Sequence, residues 1–250
     1  MKQYKANYKA NFNFFDKIDD PKKAYWLGFI WSDGYVAKRE RLSSSGKTRT
    51  EYNLKLSVQE SDAVHIQKFL NDIESNYSVK FYETSGFKTS QREARAFVTN
   101  LHMGALLYEG YGIIPNRHDV SKVLASIPES LYRYFILGVF DADGSFSEYS
   151  GEYGDKMRVT FGGSAELLNF IESVLVKEGI AQAQNRKLLI RHEGKDGTWR
   201  SIAFSGIPQA SKILNWLYGD SEIHLDRKYE KYLRLKFLRE ERDSRWANRK

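Results

Sequence analysis

The sequence predicts an α+β protein built as a tandem repeat, and three observations support this. A ten-residue block at 27–36 recurs at 137–146, with every position shifted by 110 residues, as Asp143 is from Asp33. Apolar residues alternate with polar ones after each block, which is typical of strands, and apolar residues at helical spacing follow. Each half is therefore predicted as helix–strand–strand–helix–strand–strand–helix. In each half, one strand of the first pair is assumed as a partner for the strand that the alternation predicts.

Capping residues predict where the two repeated helices begin. Asp20 is suited to cap the first helix, with Pro21 at its first position. The second helix is predicted to begin near Pro128, with Glu129 in its first turn. The chain then divides into an N-terminal extension (1–20), a first repeat (21–112), a linker (113–128), a second repeat (129–238) and a charged tail (239–250).

Composition narrows the class of partner. The 250 residues include 39 Lys and Arg against 32 Asp and Glu, and no cysteine. The basic excess favours a polyanionic partner, and the missing cysteines exclude disulfides, zinc fingers and a cysteine nucleophile. No apolar run approaches the ~20 residues that span a bilayer. We expect a soluble intracellular protein that prefers nucleic acid to membrane.

Both repeated helices carry a glycine in the middle, Gly28 and Gly138. Each costs roughly 1 kcal/mol of helix stability against alanine. Such a glycine is commonly kept where another backbone comes close. Because both halves have it in the same register, the two helices are predicted to pack against each other at short range.

Each repeated helix ends in Asp-Gly, at Asp33-Gly34 and Asp143-Gly144. The glycines are expected to adopt the left-handed conformation common after a helix end. A carboxylate in the last turn faces the negative end of the helix dipole, and a bound cation would reverse that penalty. The pair therefore predicts a metal site. Asp141 lies opposite Trp31 in the repeat, so it is interpreted as local support or a solvated helix-end charge.

These blocks resemble the signature of the LAGLIDADG homing endonucleases. The segment 136–144, ILGVFDADG, is close to the family consensus, and 26–34, WLGFIWSDG, departs at the first acidic position but keeps the second. Two further segments, GIIPNR at 112–117 and LDRKY at 225–229, are similar to family segments that accompany the motifs. The resemblance covers nearly the whole chain.

The resemblance implies a pseudo-twofold monomer. The motif helices would form the interface, and two antiparallel sheets would form a saddle over a long, roughly pseudo-palindromic site in double-stranded DNA. Such enzymes hydrolyse both strands across the minor groove and leave short 3′ overhangs. They use Mg²⁺, for which Mn²⁺ substitutes. Asp33 and Asp143 would bind it, with main-chain oxygens of Ser32 and Ala142.

Other roles also follow from the resemblance. Gln59 lies where family members place a residue that orients solvent. Lys228 matches a basic residue near the family's active site, and Arg117 would serve the first half in the same way. The chemistry expected is direct attack by water, because no Ser/His/Asp or lysine nucleophile constellation is present.

The strands are expected to supply DNA recognition. In the first half, the face opposite Tyr52, Leu54 and Leu56 carries polar residues, among which Arg and Asn suit base edges and Lys suits phosphate. The residues predicted to contact DNA are Arg49, Asn53, Lys55, Arg158, Arg186, Arg191 and Arg200.

Three alternatives remain open at this stage. A transcription regulator or an RNA-splicing maturase could share the architecture, although regulators of this shape commonly lack the acid pair. An inert basic repeat protein is the third. The motif acids favour the nuclease over the regulator, a maturase would keep them equally well, and failure to cut any DNA with Mg²⁺ would leave the inert protein open.

Overall fold

Two similar α+β halves make up the structure. The computed structural model describes residues 8–42, 46–84, 91–115, 117, 119–151, 154–183, 189–190 and 200–247. The first half consists of α1 (Pro21–Asp33), β1 (Tyr35–Leu42), β2 (Thr48–Gln59), α2 (Ala63–Asp72), β3 (Lys80–Thr84), β4 (Gln91–Thr99) and α3 (Leu101–Ala105), which continues as a π-helical turn (Leu106–Gly110). A short helix, α4 (Ser121–Ala125), leads to the second half.

The second half repeats this order. It consists of α5 (Tyr132–Asp143), β5 (Ser145–Gly151), β6 (Gly154–Gly163), α6 (Ala165–Lys177), β7 (Leu189–Ile190), β8 (Arg200–Ser205) and α7 (Ile207–Tyr218), followed by α8 (Asp226–Ala247). The predicted helix–strand–strand–helix–strand–strand–helix order is confirmed in both halves. The two assumed strands are β1 and β5.

Each half contains one four-stranded antiparallel sheet. The strand orders are β1-β2-β4-β3 and β5-β6-β8-β7, so the two sheets have the same topology. The predicted alternation holds, because Tyr52, Leu54 and Leu56 are buried while their neighbours in β2 remain at least partly accessible. One face of each sheet therefore packs on helices and the other is open to solvent.

The two halves meet along α1 and α5. A Cβ atom built on Gly28 would lie 2.1 Å from the carbonyl oxygen of Phe135, and one on Gly138 would lie 2.0 Å from that of Tyr25. Phe135 is the repeat equivalent of Tyr25, so the contact is reciprocal, as a twofold axis between the helices requires. The prediction of close packing at these glycines is confirmed.

The predicted start is confirmed for one of the two repeated helices. Asp20 accepts a hydrogen bond from the Lys22 N–H at 2.8 Å and caps α1, with Pro21 next. The second helix begins later than predicted. A 3₁₀ turn at Glu129–Leu131 follows Pro128, and the α-helix itself begins at Tyr132.

The segments outside the repeats are part of the packed structure. Phe15 and Ile18, in the predicted extension, are buried, as is Val123 in the predicted linker. α8 continues past residue 238, where the sequence analysis placed the start of a charged tail, and reaches Ala247. None of the helices in the described ranges is long and apolar enough to cross a membrane.

Gly28→Ala tests the contact between the halves. On helix propensity alone, alanine would stabilise α1 by ~1 kcal/mol. We expect the opposite, a loss of about 3 kcal/mol in the free energy of unfolding, because the new methyl group meets main-chain atoms that cannot move independently of α5. Urea denaturation measures this. Val64→Ala, at an exposed position of α2, is the control and should leave stability nearly unchanged; a stabilised Gly28→Ala variant would disprove the close contact.

Candidate functional site

The motif helices end with the same geometry in both halves. The N–H groups of Gly34 and Gly144 donate to the carbonyls of Ile30 and Phe140 at 2.9 and 2.8 Å. Both glycines are extended (φ −76° and −82°), so the expected left-handed conformation is wrong. Glycine is required for a different reason. A Cβ atom would lie 2.5 Å from the carbonyl oxygen of Ile30 in the first half and 2.2 Å from the Phe140 ring in the second.

Arg117 covers the end of α1. Its guanidinium donates to the carbonyl of Trp31 and, through Nη2, to those of Ser32 and Gly34 at 2.9 and 3.0 Å. The last carbonyls of a helix have no hydrogen-bond partners inside the helix. A cation at this end also interacts favourably with the negative end of the helix dipole. Arg117 therefore satisfies the end of the first motif helix.

Lys228 does the same for α5. Its Nζ donates to the carbonyls of Phe140, Asp141 and Gly144 at 2.6, 2.8 and 2.7 Å. Asp141 and Gly144 are the repeat equivalents of Trp31 and Gly34, so the two cations bind matching carbonyls. The sequence had placed both residues near the site, and the structure shows how each is held there.

The two carboxylates and the two cations form one electrostatic group. Asp33 and Asp143 both stabilise the charged forms of Arg117 and Lys228. The ends of α1 and α5 are therefore brought together, as the close packing of the helices requires.

Burial dominates the titration of this group. It raises the pKa of Asp33 to about 6, although Lys228 and Arg117 act in the opposite direction and the side chain reaches solvent. Burial also lowers the pKa of Lys228 to about 8 and that of Arg117 to about 10, against the attraction of nearby carboxylates. The surroundings thus disfavour the ionised carboxylate of Asp33 while no further cation is bound.

Asp141 occupies the position that Trp31 has in the first half, and it is almost completely buried. Its carboxylate accepts hydrogen bonds from the Tyr25 hydroxyl at 2.8 Å, the Tyr218 hydroxyl at 2.6 Å and the Leu225 N–H at 2.7 Å. It therefore joins α1, α5 and α7 to Leu225, which directly precedes α8 and lies three residues before Lys228. The interpretation as local support is confirmed, and the alternative of a solvated charge is wrong.

The network continues to His65 in α2. The Tyr25 hydroxyl has one proton, which it donates to Asp141, so the contact of 2.9 Å with His65 Nε2 requires that this nitrogen donates. His65 Nδ1 is then an acceptor, buried and without a hydrogen-bond partner among the described residues. Burial lowers the pKa of His65 to about 3, so the ring is neutral at physiological pH.

Gln59 lies farther along β2 than its predicted role suggests. Lys55, not Gln59, pairs with Tyr35, the first residue of the strand that leaves Asp33-Gly34. Gln59 follows four residues later, about 13 Å along the strand, and pairs with Glu93 of β4. By register, the second-half equivalent of Lys55 is Thr160, which pairs with Ser145.

The open faces of the sheets carry most of the predicted DNA contacts. Arg49, Asn53 and Lys55 alternate with the buried residues of β2 and share its open face, and Arg158 has this position in β6. Arg200 does not. It lies two and four residues before the buried Ile202 and Phe204 and so shares their face, which corrects its predicted placement to the helix-covered side. Arg186 and Arg191 lie outside the described residues.

Sequence reasoning missed several basic residues on the same faces. They lie in β1, β3, β4 and β6 and are Arg39, Arg41, Lys80, Arg95 and Lys156. Alternation around Val36 could have placed the β1 pair, but that strand was only assumed. Two glutamates on the first face are neutralised locally, because Arg41 binds Glu51 at 3.0 Å and Arg95 binds Glu93 at 2.9 Å. The open face of the first sheet therefore remains basic overall.

The donor set at the helix ends suits a hard divalent cation. In the described ranges no three His, Cys, Asp or Glu side chains cluster as a metal site. Two carboxylates are enough for Mg²⁺, which keeps several waters and is commonly bound by one or two carboxylates together with substrate phosphates. Asp33 and Asp143, next to the main-chain oxygens of Ser32 and Ala142, fit such an ion.

Known proteins resemble the chain at two levels. Residues 130–231 match the sequence profile of the LAGLIDADG-like domain. The whole chain resembles the LAGLIDADG homing endonuclease I-GzeII in complex with its DNA target, with a TM-score of 0.57 and 11% identity over 90% of this chain and 91% of that one. A comparison with curated proteins found no match.

Two further solved structures have the same fold. The LAGLIDADG homing endonuclease I-SmaMI bound to cleaved DNA gives a TM-score of 0.55 at 14% identity, covering 91% of this chain and 92% of that chain. The meganuclease I-AabMI bound to uncleaved DNA gives 0.54 at 11% identity, covering 89% and 92%. The α+β architecture of two antiparallel sheets is therefore that of these proteins.

Asp33→Asn should stabilise the metal-free protein. A carboxyl group whose pKa rises from 3.8 to about 6 on folding destabilises the fold above pH 6 and has no effect below pH 3.8. We expect a gain of ~1 kcal/mol at pH 7.5, which allows for solvent screening of this accessible side chain. In a protein of this size that increases Tm by roughly 2–4 °C.

Thermal denaturation with a chelator from pH 4 to 8 measures this gain, which should shrink as the pH falls through 6. Asp19→Asn is the control. The pKa of Asp19 is lowered by its bond to Lys23, so its removal should give no gain. A gain at Asp33 that does not depend on pH would show that its charge is not the cause.

Asp141→Asn should destabilise the protein by about 3 kcal/mol, because an amide cannot accept from all three buried donors and places its own N–H₂ against one of them. Urea denaturation measures the loss. Asp220→Asn, which breaks an exposed ion pair with Arg133, should cost less than about 1 kcal/mol. Equal effects of the two substitutions would contradict the proposed role of the buried network.

Proposed function

We propose that the chain is a site-specific endonuclease that cuts both strands of double-stranded DNA, because residues 130–231 match the LAGLIDADG-like domain and each half carries a motif helix. The observation that carries the proposal is the meeting of two helix-end carboxylates, Asp33 and Asp143, within reach of the same two cations. Three proteins of the same fold are described in complex with DNA.

Each half would act on one strand. The twofold relation between α1 and α5 places one carboxylate per half at a shared position, which suits two scissile phosphates on opposite strands. Since both halves belong to one chain, a monomer would suffice. The site would be long, with one sheet over each end, and only roughly palindromic, because the two open faces carry different side chains.

Asp33 and Asp143, with main-chain oxygens of Ser32 and Ala142, would hold the metal. When bound, Mg²⁺, or Mn²⁺ in its place, supplies stabilisation of the charge that develops on the phosphate and lowers the pKa of a bound water. Lys228 and Arg117 fix the helix ends, and their charges favour the approach of DNA phosphates. The attacking group would be water, and the products would carry short 3′ overhangs after cleavage across the minor groove.

The open sheet faces would bind in the major groove on either side of the cleavage site. A two-stranded antiparallel ribbon fits this groove, whose base edges present a distinct pattern for each base pair. Lys55 and Arg49 in the first half, and Lys156 and Arg158 in the second, would provide phosphate and base contacts.

Cleavage selection from a randomised DNA library with Mg²⁺ tests the proposal. The native protein should enrich one long sequence. Asp33→Asn and Asp143→Asn should each reduce double-strand cutting of that sequence by at least about a hundredfold, as expected when electrostatic stabilisation of a transition state is lost. Binding, measured by gel shift, should be retained in both.

Glu166→Gln, at an exposed position of α6, is the matched control and should cut normally. Full cutting by both aspartate variants would refute the site. Selective binding without any cutting by the native protein would assign the chain to the non-catalytic regulators instead.

A further inference from the structure

A phenylalanine lies on the open face of the first sheet, where the strand pattern predicts polar residues. Phe97 sits in β4 between Ala96 and Val98, which are buried on the helix side, so its ring is on the opposite face and is only half buried. A ring held there exposes apolar area on a surface that is otherwise charged and polar.

The ring borders two hollows. One, of about 230 Å³, is also lined by Asn53, Ala37 and Thr99, and the ion pair between Arg41 and Glu51 belongs to its lining. The other, of about 180 Å³, lies beside Lys80. The larger hollow, which we call the Phe97 pocket, thus combines one apolar wall with one side-chain amide, and Arg39 also lines it.

The amide in the Phe97 pocket is held in place. Asn53 Nδ2 donates to Thr99 Oγ1 at 2.5 Å. The main chain of Thr99 is in turn fixed by the Tyr77 hydroxyl, which accepts from its N–H at 3.3 Å and donates to its carbonyl at 3.2 Å. Tyr77 is stacked on Tyr8, with ring centroids 4.3 Å apart. This arrangement uses one amide hydrogen of Asn53 and leaves its carbonyl oxygen and second hydrogen for a ligand.

These two groups match one base pair. In the major groove adenine presents an acceptor at N7 and a donor at N6, which the oxygen and N–H of an asparagine can bind together. Thymine presents its 5-methyl group, which packs on apolar side chains such as phenylalanine. We propose that the Phe97 pocket recognises one adenine–thymine pair of the target, with Asn53 on the adenine and Phe97 on the thymine methyl; this rests on the proposed DNA-binding function.

The second sheet provides an internal comparison. By strand register, its equivalents of Asn53 and Phe97 are Arg158 and Ala203. Arginine binds the O6 and N7 acceptors of guanine, and alanine leaves no ring to contact a methyl group. The two ends of the target should therefore differ at symmetric positions, with adenine–thymine at the first sheet and guanine–cytosine at the second.

A purely structural role would explain Phe97 differently. Its ring packs edge-on against Tyr82 at 6.1 Å, and Arg95 lies over Tyr82 at 4.7 Å, so it could serve only to stabilise neighbouring strands. That role would affect stability and overall affinity but would not affect the preference for one base. Base preference at a single position therefore separates the two explanations.

The test is a binding selection with the full chain and randomised DNA in a chelating buffer, so that cleavage plays no part. The native protein should prefer thymine at one position by about tenfold. Phe97→Ala, which introduces the residue found in the second sheet, should reduce that preference several-fold, to the part that Asn53 supplies through the paired adenine, and leave the guanine preference of the other half unchanged.

Replacing each selected thymine by uracil removes only its methyl group. At one position this should weaken binding of the native protein about fivefold, as expected for one buried methyl group. The same replacement should have no effect on Phe97→Ala. Native protein that tolerates uracil at every position, or a Phe97→Ala variant with an undiminished thymine preference, would overturn the inference. Native protein that selects no sequence at all would instead refute the proposed function.

Discussion

The backbone contact between α1 and α5 is the constraint on which the rest of the structure depends. At Gly28 and Gly138 each helix touches a main-chain carbonyl of the other, and no side chain could be added at either point. This contact fixes the distance between the halves and brings both helix ends to one place. Because β1 and β5 leave directly from these ends, the same contact also sets where the two open sheet faces begin.

Bringing two helix C-termini together concentrates negative charge. The dipoles of both helices and the carboxylates of Asp33 and Asp143 meet there, and burial weakens the solvation that would otherwise offset this. Arg117 and Lys228 stabilise the arrangement by donating to matching sets of carbonyls. These hydrogen bonds go to helix-end carbonyls. They do not offset the effect of burial on Asp33, whose pKa remains raised. The proposed divalent cation would offset the negative charge that remains.

The two halves share a fold but have diverged at equivalent positions. The equivalent pairs, first half before second, are Trp31 and Asp141, Arg117 and Lys228, Lys55 and Thr160, and Phe97 and Ala203. The first two differences concern how each helix end is held. At this position the second half has the carboxylate of Asp141 in place of an aromatic ring, and this carboxylate connects three helices and the residue before α8. The other two lie on the open sheet faces, so a nearly symmetric scaffold presents two different surfaces.

The sequence by itself determined the tandem repeat, the order of elements and the pair of acids, because periodicity, capping and internal repetition are local properties of the chain. It also indicated the close approach of the helices, since glycine at the same position in both has a direct steric meaning. The tertiary structure decided the rest. Four features depend on strand register or on residues far away in sequence: the side of the sheet occupied by Arg200, the pairing of Lys55 with Tyr35, the burial of Asp141 and the extended Gly34. Those contacts are fixed only when the two halves pack together.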